Sequence, residues 1–285
     1  MTAVFSTTRE RMLEAYKKAN QEVICHTIPY HSTGVIAFDV VDPSVAVPPG
    51  VAFAVARRNQ AITLFDYGVG NEVNLGGSGN KRATDAETNL AKGHSTNGAQ
   101  DYIIEGVGFS CRGMRLAYSG AQLTALQALV ADADVEAMLL GDRTIYDPAG
   151  IVTPPQMQSP FNLEQGMFQA LLAQTSVEFL FDRKRVEKIG ALDLLPQAGA
   201  NSFLRANGVP ESSNKYRIPE GYVWRKDGQA DSELEVNLRL QNAVVVPLNN
   251  LITWDVGATN VYPTTIWLEL KMVLFGLGID MPSQN

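Results

Sequence analysis

The chain is 285 residues long, with 45% hydrophobic and 19% charged residues and a formal net charge of −7. That composition belongs to a folded globular protein with room for one large core or two modest ones, and it argues against disorder. The acidic balance leaves the body of the protein without an electrostatic footprint for nucleic acid, so no sequence-specific nucleic-acid partner is expected.

Two cysteines, Cys25 and Cys111, are too few for a disulfide framework in a chain of this length. The first residues lack a basic region followed by an apolar one, as a secretory signal requires. No apolar run approaches the roughly 20 residues of a membrane-spanning helix, and the stretch 45–56 is broken by Pro48, Pro49 and Gly50. The expectation is a product kept in the cytosol where it is made, with reduced thiols.

Residues 6–20 read as an amphipathic helix. Thr7 and Glu10 have capping-box spacing, and Met12, Tyr16 and Ala19 follow at helical spacing with Leu13 alongside. Arg9, Arg11, Lys17 and Lys18 make the segment basic in an acidic protein. Two readings stand: a solvated helix packed on the body, or an anchor facing an inner surface or a membrane.

Strand texture follows. Residues 22–28 and 35–41 are short β-rich runs, separated by Pro29 and a turn at Ser32-Thr33-Gly34. Cys25, His26 and His31 are the one cluster of metal-ligand types, but neighbours on a strand point to opposite faces, so a core thiol and a surface imidazole are expected. Further strands are predicted at 51–56 and 62–67. Gly68-Val69-Gly70 lacks the third glycine of a dinucleotide fingerprint, and the glycine-rich run 76–82 lacks the spacing and ending of a P-loop. Residues 71–100, rich in Gly, Asn, Thr and Ser, read as a long loop with almost no apolar anchors, a feature that is functional or interfacial in compact domains. His94 stands alone within it.

Residues 102–118 form a long predicted strand with a phase flip. Ile103, Val107, Phe109 and Cys111 share one parity, whereas Met114, Leu116 and Tyr118 beyond Gly113 take the other. A flip at a glycine is what a bulge produces. The run 108–112 lacks the second glycine of a nucleophile elbow. Segments 126–143 and 168–185 align without gaps as helix–strand units whose strands begin at Val135-Glu136 and Val177-Glu178. Within the first, Asp132, Asp134 and Glu136 imitate the start of a calcium loop, but Ala137 stands at the turn glycine and Arg143 at the terminal glutamate.

The C-terminal third has the plainest alternation. Leu234, Val236, Leu238 and Leu240 interleave with Glu233, Glu235, Asn237, Arg239 and Gln241, as in an antiparallel strand with one wet face. In 264–279, Ile266, Leu268, Leu270, Met272 and Leu274 make one apolar face. The other face begins polar at Glu269 and Lys271 and turns apolar at Val273, Phe275 and Leu277, so the strand is expected to start half-exposed and end buried on both sides, with Gly276 and Gly278 admitting close backbone approach.

Many strands, few helices and no βαβ rhythm predict a mainly β protein, an antiparallel sandwich or jelly roll. The layout resembles the jelly-roll major capsid proteins of tailless icosahedral bacterial viruses, corticoviruses and tectiviruses among them. The likeness rests on the basic N-terminal helix, the β-rich runs 62–74 and 101–110, the alternating final strands and the tail 261–279. It implies an arm over 1–20 and a double jelly roll, with one sandwich in 21–158 and a second in 159–285. It also implies no enzymatic activity, no catalytic residue, no metal ligand and no cofactor. The implied function is assembly: homotrimers tiling a closed shell, other virion proteins such as vertex proteins as partners, and an internal lipid membrane met through Arg9, Arg11, Lys17 and Lys18. The localisation implied is the virion, after synthesis in the host cytoplasm. The competing readings are a carbohydrate-binding or tail-associated β-sandwich and a β-sandwich polysaccharide hydrolase. Trp224, Trp254 and Trp267 are too scattered in sequence to decide between them.

Overall fold

The computed structural model describes residues 8–18, 24–27, 29–41, 53–75, 80–97, 100–117, 119–121, 160–190, 216–226, 228–248, 254–256, 259–261 and 263–280. Among the sequence readings that fall outside the described residues are the helix–strand unit 126–143, the acidic triplet within it, the glycines of 76–79, the Thr7 cap, Ala19, the Pro48-Pro49-Gly50 break and Tyr118.

Among the described residues the protein is mainly β, with antiparallel sheets and two helices, α1 (Thr8–Lys18) and α2 (Pro160–Ala173). The strands are β1 (Ile24–His26), β2 (Tyr30–Val41), β3 (Phe53–Ala56), β4 (Ala61–Leu64), β5 (Glu72–Val73), β6 (Lys81–Arg82), β7 (Gln100–Ala117), β8 (Thr175–Phe181), β9 (Lys184–Gly190), β10 (Tyr216–Trp224), β11 (Leu234–Leu240), β12 (Val244–Pro247), β13 (Trp254–Val256), β14 (Thr259–Val261) and β15 (Thr265–Asp280). The larger sheet runs β10-β7-β15-β2-β3-β12, with β1 also paired to β15. The smaller runs β4-β11-β8-β9, while β5-β6 and β13-β14 are separate pairs.

The sheets face each other across one core. Ile36, Phe38, Leu268 and Leu270 of the larger sheet meet Ile62, Leu64, Val177, Phe179, Val236 and Leu238 of the smaller. Helix α2 adds Met167, Phe168, Leu171 and Leu172, with the Phe168 ring 5.8 Å from that of Phe109. At one end, Trp224 is packed edge-on against Tyr30, Phe65 and Tyr102. Its indole N–H donates to the carbonyls of Ser232 (2.9 Å) and His94 (3.2 Å).

The expected division between residues 158 and 159 does not divide the sheets. β2, β3 and β7 share the larger sheet with β10, β12 and β15, and β4 shares the smaller with β8, β9 and β11. The reason is β15, which is hydrogen-bonded to β7 along one edge and to β2 along the other. The described strands therefore build one sandwich across that boundary.

Three local expectations change. The Ser32-Thr33-Gly34 turn is continuous strand within β2. Ser32 Oγ accepts the Phe65 N–H (2.9 Å), and Gly34 lets the facing sheet come close: a Cβ there would lie 2.3 Å from Ile62 Cγ2 and 2.8 Å from Leu64 Cδ2. The segment 71–100 carries the β5–β6 hairpin and buries Val73, Leu75, Ala83 and Leu90, so it has apolar anchors after all. In β7 the phase flip falls at Arg112, which is left unpaired between Cys111↔Leu270 and Gly113↔Glu269. A second flip skips Glu105 in the register with β15, because Gly106 pairs with Phe275 and Ile104 with Gly276. Ile104, rather than Ile103, therefore joins Val107 and Phe109 in the main core, and Ile103 points to the opposite face. A Cβ on Gly276 would lie 1.9 Å from the Ile103 carbonyl oxygen, so only glycine fits beside this bulge.

The alternation in β11 is as read: Leu234, Val236, Leu238 and Leu240 are all at most 1% exposed, while Arg239 is exposed. Leu238→Asp buries an unpaired charge and removes packing, and is expected to cost about 4 kcal/mol. Arg239→Gln, one residue along, is expected to stay within about 0.5 kcal/mol of the parent. Chemical denaturation of both proteins checks the register, and equal losses would contradict it.

Candidate functional site

The outer face of the larger sheet, turned away from the smaller one, holds the described chemistry. Odd-numbered residues of β2 and β15 point this way, because the even-numbered ones fill the core. Going along β15, this face divides into three zones.

At the C-terminal end, Leu277 and Ile279 join Ile103 of β7 and Val223 of β10. Helix α1 lies on this zone through Met12, completing a small second core. The sequence reading that β15 ends buried on both faces is met in large part: Val273, Leu277 and Ile279 are buried, while Phe275 is half-buried. Arg11 and Lys17 are exposed on the helix, and the side chains of Arg9 and Lys18 lie outside those described.

The middle zone is ionic, and the expected half-exposed start to β15 is seen at Thr265, Trp267 and Lys271, with Glu269 the exception. Glu269 is buried and Lys271 half-buried. The 66–97 segment wraps the open edge of β2, where Asn89 Oδ1 accepts the His31 N–H (2.8 Å) and Tyr67 donates its hydroxyl to the Thr33 carbonyl (2.6 Å). It then packs Tyr67, Val73, Leu75 and Ala83 against Val35. From this segment Glu87 reaches the sheet. Its carboxylate, with a side chain 4% exposed, accepts from Arg112 Nη1 (3.0 Å), Lys81 Nζ (3.0 Å), the Thr84 hydroxyl (2.6 Å) and the Thr84 N–H (2.9 Å). Burial alone would raise its pKa, but these donors outweigh it and hold the carboxyl at about 2. Glu269 is ion-paired to Arg115 and faces Arg112 at 3.9 Å. The bulge at Arg112 is what turns its guanidinium toward both carboxylates. Burial, reinforced by the charges of Lys271 and Arg112, keeps His31 below its usual pKa. Its Nε2 lies 2.9 Å from the Asp85 carbonyl oxygen.

The third zone lies over β2, β3 and β12. Val245 is 55% exposed and registers with Val55, which registers with Asp39; Phe53 registers with Val41. Val41, Phe53 and Val55 are half-buried, and Asp39 pairs with Arg57 at 2.8 Å.

The sequence-level candidates are dispersed. Cys25 is exposed and His26 Nε2 lies 2.5 Å from Asp280 Oδ2, tying β1 to the end of β15. His31 is at the far side of Pro29, held by the 66–97 segment. His94 is a structural hub, with its N–H donated to the Phe65 carbonyl and its carbonyl accepting from Leu234 (2.8 Å) and Trp224. The N–H groups of Val69 and Gly70 are given to the carbonyls of Leu90 and Ala83, both at 2.8 Å, so this turn holds no phosphate cradle. No three His, Cys, Asp or Glu side chains suited to a metal converge among the described residues. No helix among them is long and apolar enough to cross a membrane.

The ionic zone went unread because its members are far apart in the chain: Lys81, Glu87, Arg112, Arg115, Glu269 and Lys271. The available signal was the pair Glu269 and Lys271 inside an otherwise apolar strand. No protein-family model, curated protein or solved structure matches the chain.

Because Glu87 has a depressed pKa in the folded state, its contribution is full above its ordinary value of 4.5 and is lost as the pH falls toward about 2. That span corresponds to roughly 3 kcal/mol. Glu87→Gln is expected to lower stability by about that amount at pH 7 and to flatten the stability profile between pH 5 and pH 2, as read by urea denaturation at each pH. A parallel profile in the variant would contradict the assignment.

Proposed function

We propose that the chain is a non-catalytic, shell-forming protein: a jelly-roll major capsid subunit of a tailless icosahedral bacterial virus, assembling with copies of itself as trimers in the virion. The observation that carries the reading is the third zone. There an edge strand, β12, presents a largely exposed branched side chain, Val245, next to half-exposed Val55, Phe53 and Val41. An edge strand with an apolar outer face is a template for pairing with another chain unless a neighbour covers it. A second copy is the occupant that a closed shell supplies at every subunit, since symmetry reuses one patch throughout.

Two further features support the reading. The antiparallel two-sheet sandwich is the layout of such subunits, and its continuity across residue 158 favours a single roll over a double one. Glu87, held by Lys81 and paired with Arg112, fastens a long segment to the sheet, a role suited to a rigid building block.

Val245→Lys is expected to leave unfolding within about 0.5 kcal/mol of the parent and to abolish trimers and larger particles in light scattering and electron microscopy. A monodisperse monomeric parent would defeat the reading, and so would unchanged assembly of the variant.

The helix α1 refines how lipid is met in such a particle. Its apolar Met12 is already engaged by the sheet, which leaves exposed Arg11 and Lys17 to make an electrostatic contact rather than an inserted one. The double variant Arg11→Glu, Lys17→Glu is expected to lose co-sedimentation with anionic vesicles without a change in Tm. Parent binding that persists in high salt would contradict a purely electrostatic contact.

A further inference from the structure

Across the outer face, Thr33 of β2, Lys271 of β15 and Ser110 of β7 form one cross-strand row, since Lys271 registers with Thr33 on one side and Ser110 on the other. Thr33 is fully buried, Ser110 is 9% exposed and Lys271 is half-buried. The Thr33 hydroxyl has no hydrogen-bond partner among the described residues. A fully buried hydroxyl with no acceptor or donor costs on the order of 1–3 kcal/mol, and native structures retain such groups where a missing ligand or water completes them.

The lysine beside it is equally ill-served. No carboxylate lies within ion-pairing distance of Lys271 among the described residues, and the cation nearest in effect is Arg112. Burial, with Arg112 adding to it, lowers the Lys271 pKa, against a weaker opposing pull from Glu87. Arg112, Arg115, Lys81 and Lys271 bring four positive charges to this zone, against three carboxylates, Glu87, Glu269 and, beside His31, Asp85. The zone thus carries an uncompensated cation next to an unpartnered donor, within a protein whose overall charge is −7.

We propose that the Thr33–Lys271–Ser110 row is a binding site for a small inorganic oxyanion of the phosphate or sulfate class. Such an ion supplies acceptor oxygens to both hydroxyls and the ammonium at once, and neutralises the repulsion between Lys271 and Arg112. Chloride has the charge but cannot match several donors with directional lone pairs. Access is from the solvent side, where Lys271 is only half-buried. This inference does not depend on the shell-forming reading.

The test is calorimetric titration of the full chain with inorganic phosphate and with sulfate, and thermal unfolding in each against chloride at equal ionic strength. Saturable binding and a rise in Tm beyond that in chloride are expected for the parent. Lys271→Met removes a half-buried charge that has no ion pair and is expected to fold, with affinity lowered about tenfold or more. Thr33→Val, which keeps the shape, is expected to weaken binding several-fold, and Lys271→Arg to retain it. Lys184→Met, an exposed change on β9, is expected to bind as the parent does. Absence of saturable binding in the parent overturns the proposal. So does equal binding by parent and Lys271→Met, or equal weakening by Lys184→Met. If Lys271→Met fails to fold, Thr33→Val decides: unchanged affinity there also overturns it.

Discussion

Strand β15 is the member on which the rest of the molecule depends, because it is hydrogen-bonded along both edges and must be covered on both faces. Its partners along one side are all from β7, and along the other from β2 and then β1. A strand paired on both edges for most of its length has little backbone left to satisfy, so its side chains largely determine what packs above and below. Ile266, Leu268, Leu270, Met272 and Leu274 are fully buried toward the smaller sheet. At roughly 1.5–3 kcal/mol for each such side chain, this single row accounts for a large share of what joins the two sheets. The opposite row changes character along its length, and each change is met by a different cover. Apolar Leu277 and Ile279 lie under α1, and Glu269 with Lys271 lies beside the ionic end of the 66–97 segment. The helix and the long segment are therefore consequences of β15 having two faces.

How far the sequence could be read follows from the same strand. A period of two that runs without interruption, as in β11, is legible because every residue votes for one register. The even row of β15 was legible for that reason, and so was the change in its odd row at Val273. The nature of the covers was not. Helix α1 was visible as an amphipathic segment, but nothing in residues 8–18 says that Met12 meets Ile103, nearly a hundred residues away. The charge cluster was hidden for a related reason. Its carboxylates and cations come from the 66–97 segment, β7 and β15, and the composition of residues 71–100 imitates a solvated loop. The few apolar residues there, Val73, Leu75, Ala83 and Leu90, are spaced irregularly and so carry no periodic signal.

Bulges are where the pattern misleads. The flip at Arg112 could be seen because Gly113 and the change in apolar parity coincide. The flip at Glu105 could not, since Ile103 and Ile104 are both branched and apolar, and either fits either face. Its effect is nonetheless large: it sends Ile103 to the helix side and Ile104 to the main core. Without it, the polar Glu105 would point into the main core and Ile104 would turn to the outer face. The turn expected at Ser32-Thr33-Gly34 failed in the opposite sense. Those residues favour turns by composition, yet here a serine hydroxyl is needed to hold Phe65 and a glycine is needed under Ile62. Tertiary contact outweighs local preference at that point.

The three zones also restrict where a neighbouring molecule can sit. The helix-covered zone has its apolar side chains already matched to one another, so a partner there meets mostly the polar back of α1. The ionic zone has its carboxylates buried beneath donors, and bringing a second protein onto it would require removing water from Arg112, Arg115 and Lys271 at once. Desolvating several like charges is costly unless each finds a carboxylate. The zone over β3 and β12 is different: its described side chains are branched or aromatic, half-exposed, and interrupted only by the exposed Asp39–Arg57 pair. A contact there would remove apolar area from water with few charges to desolvate, and the pair at its centre offers one cation and one anion to align against. Geometry, rather than hydrophobicity summed over the surface, is what singles out this corner of the sheet.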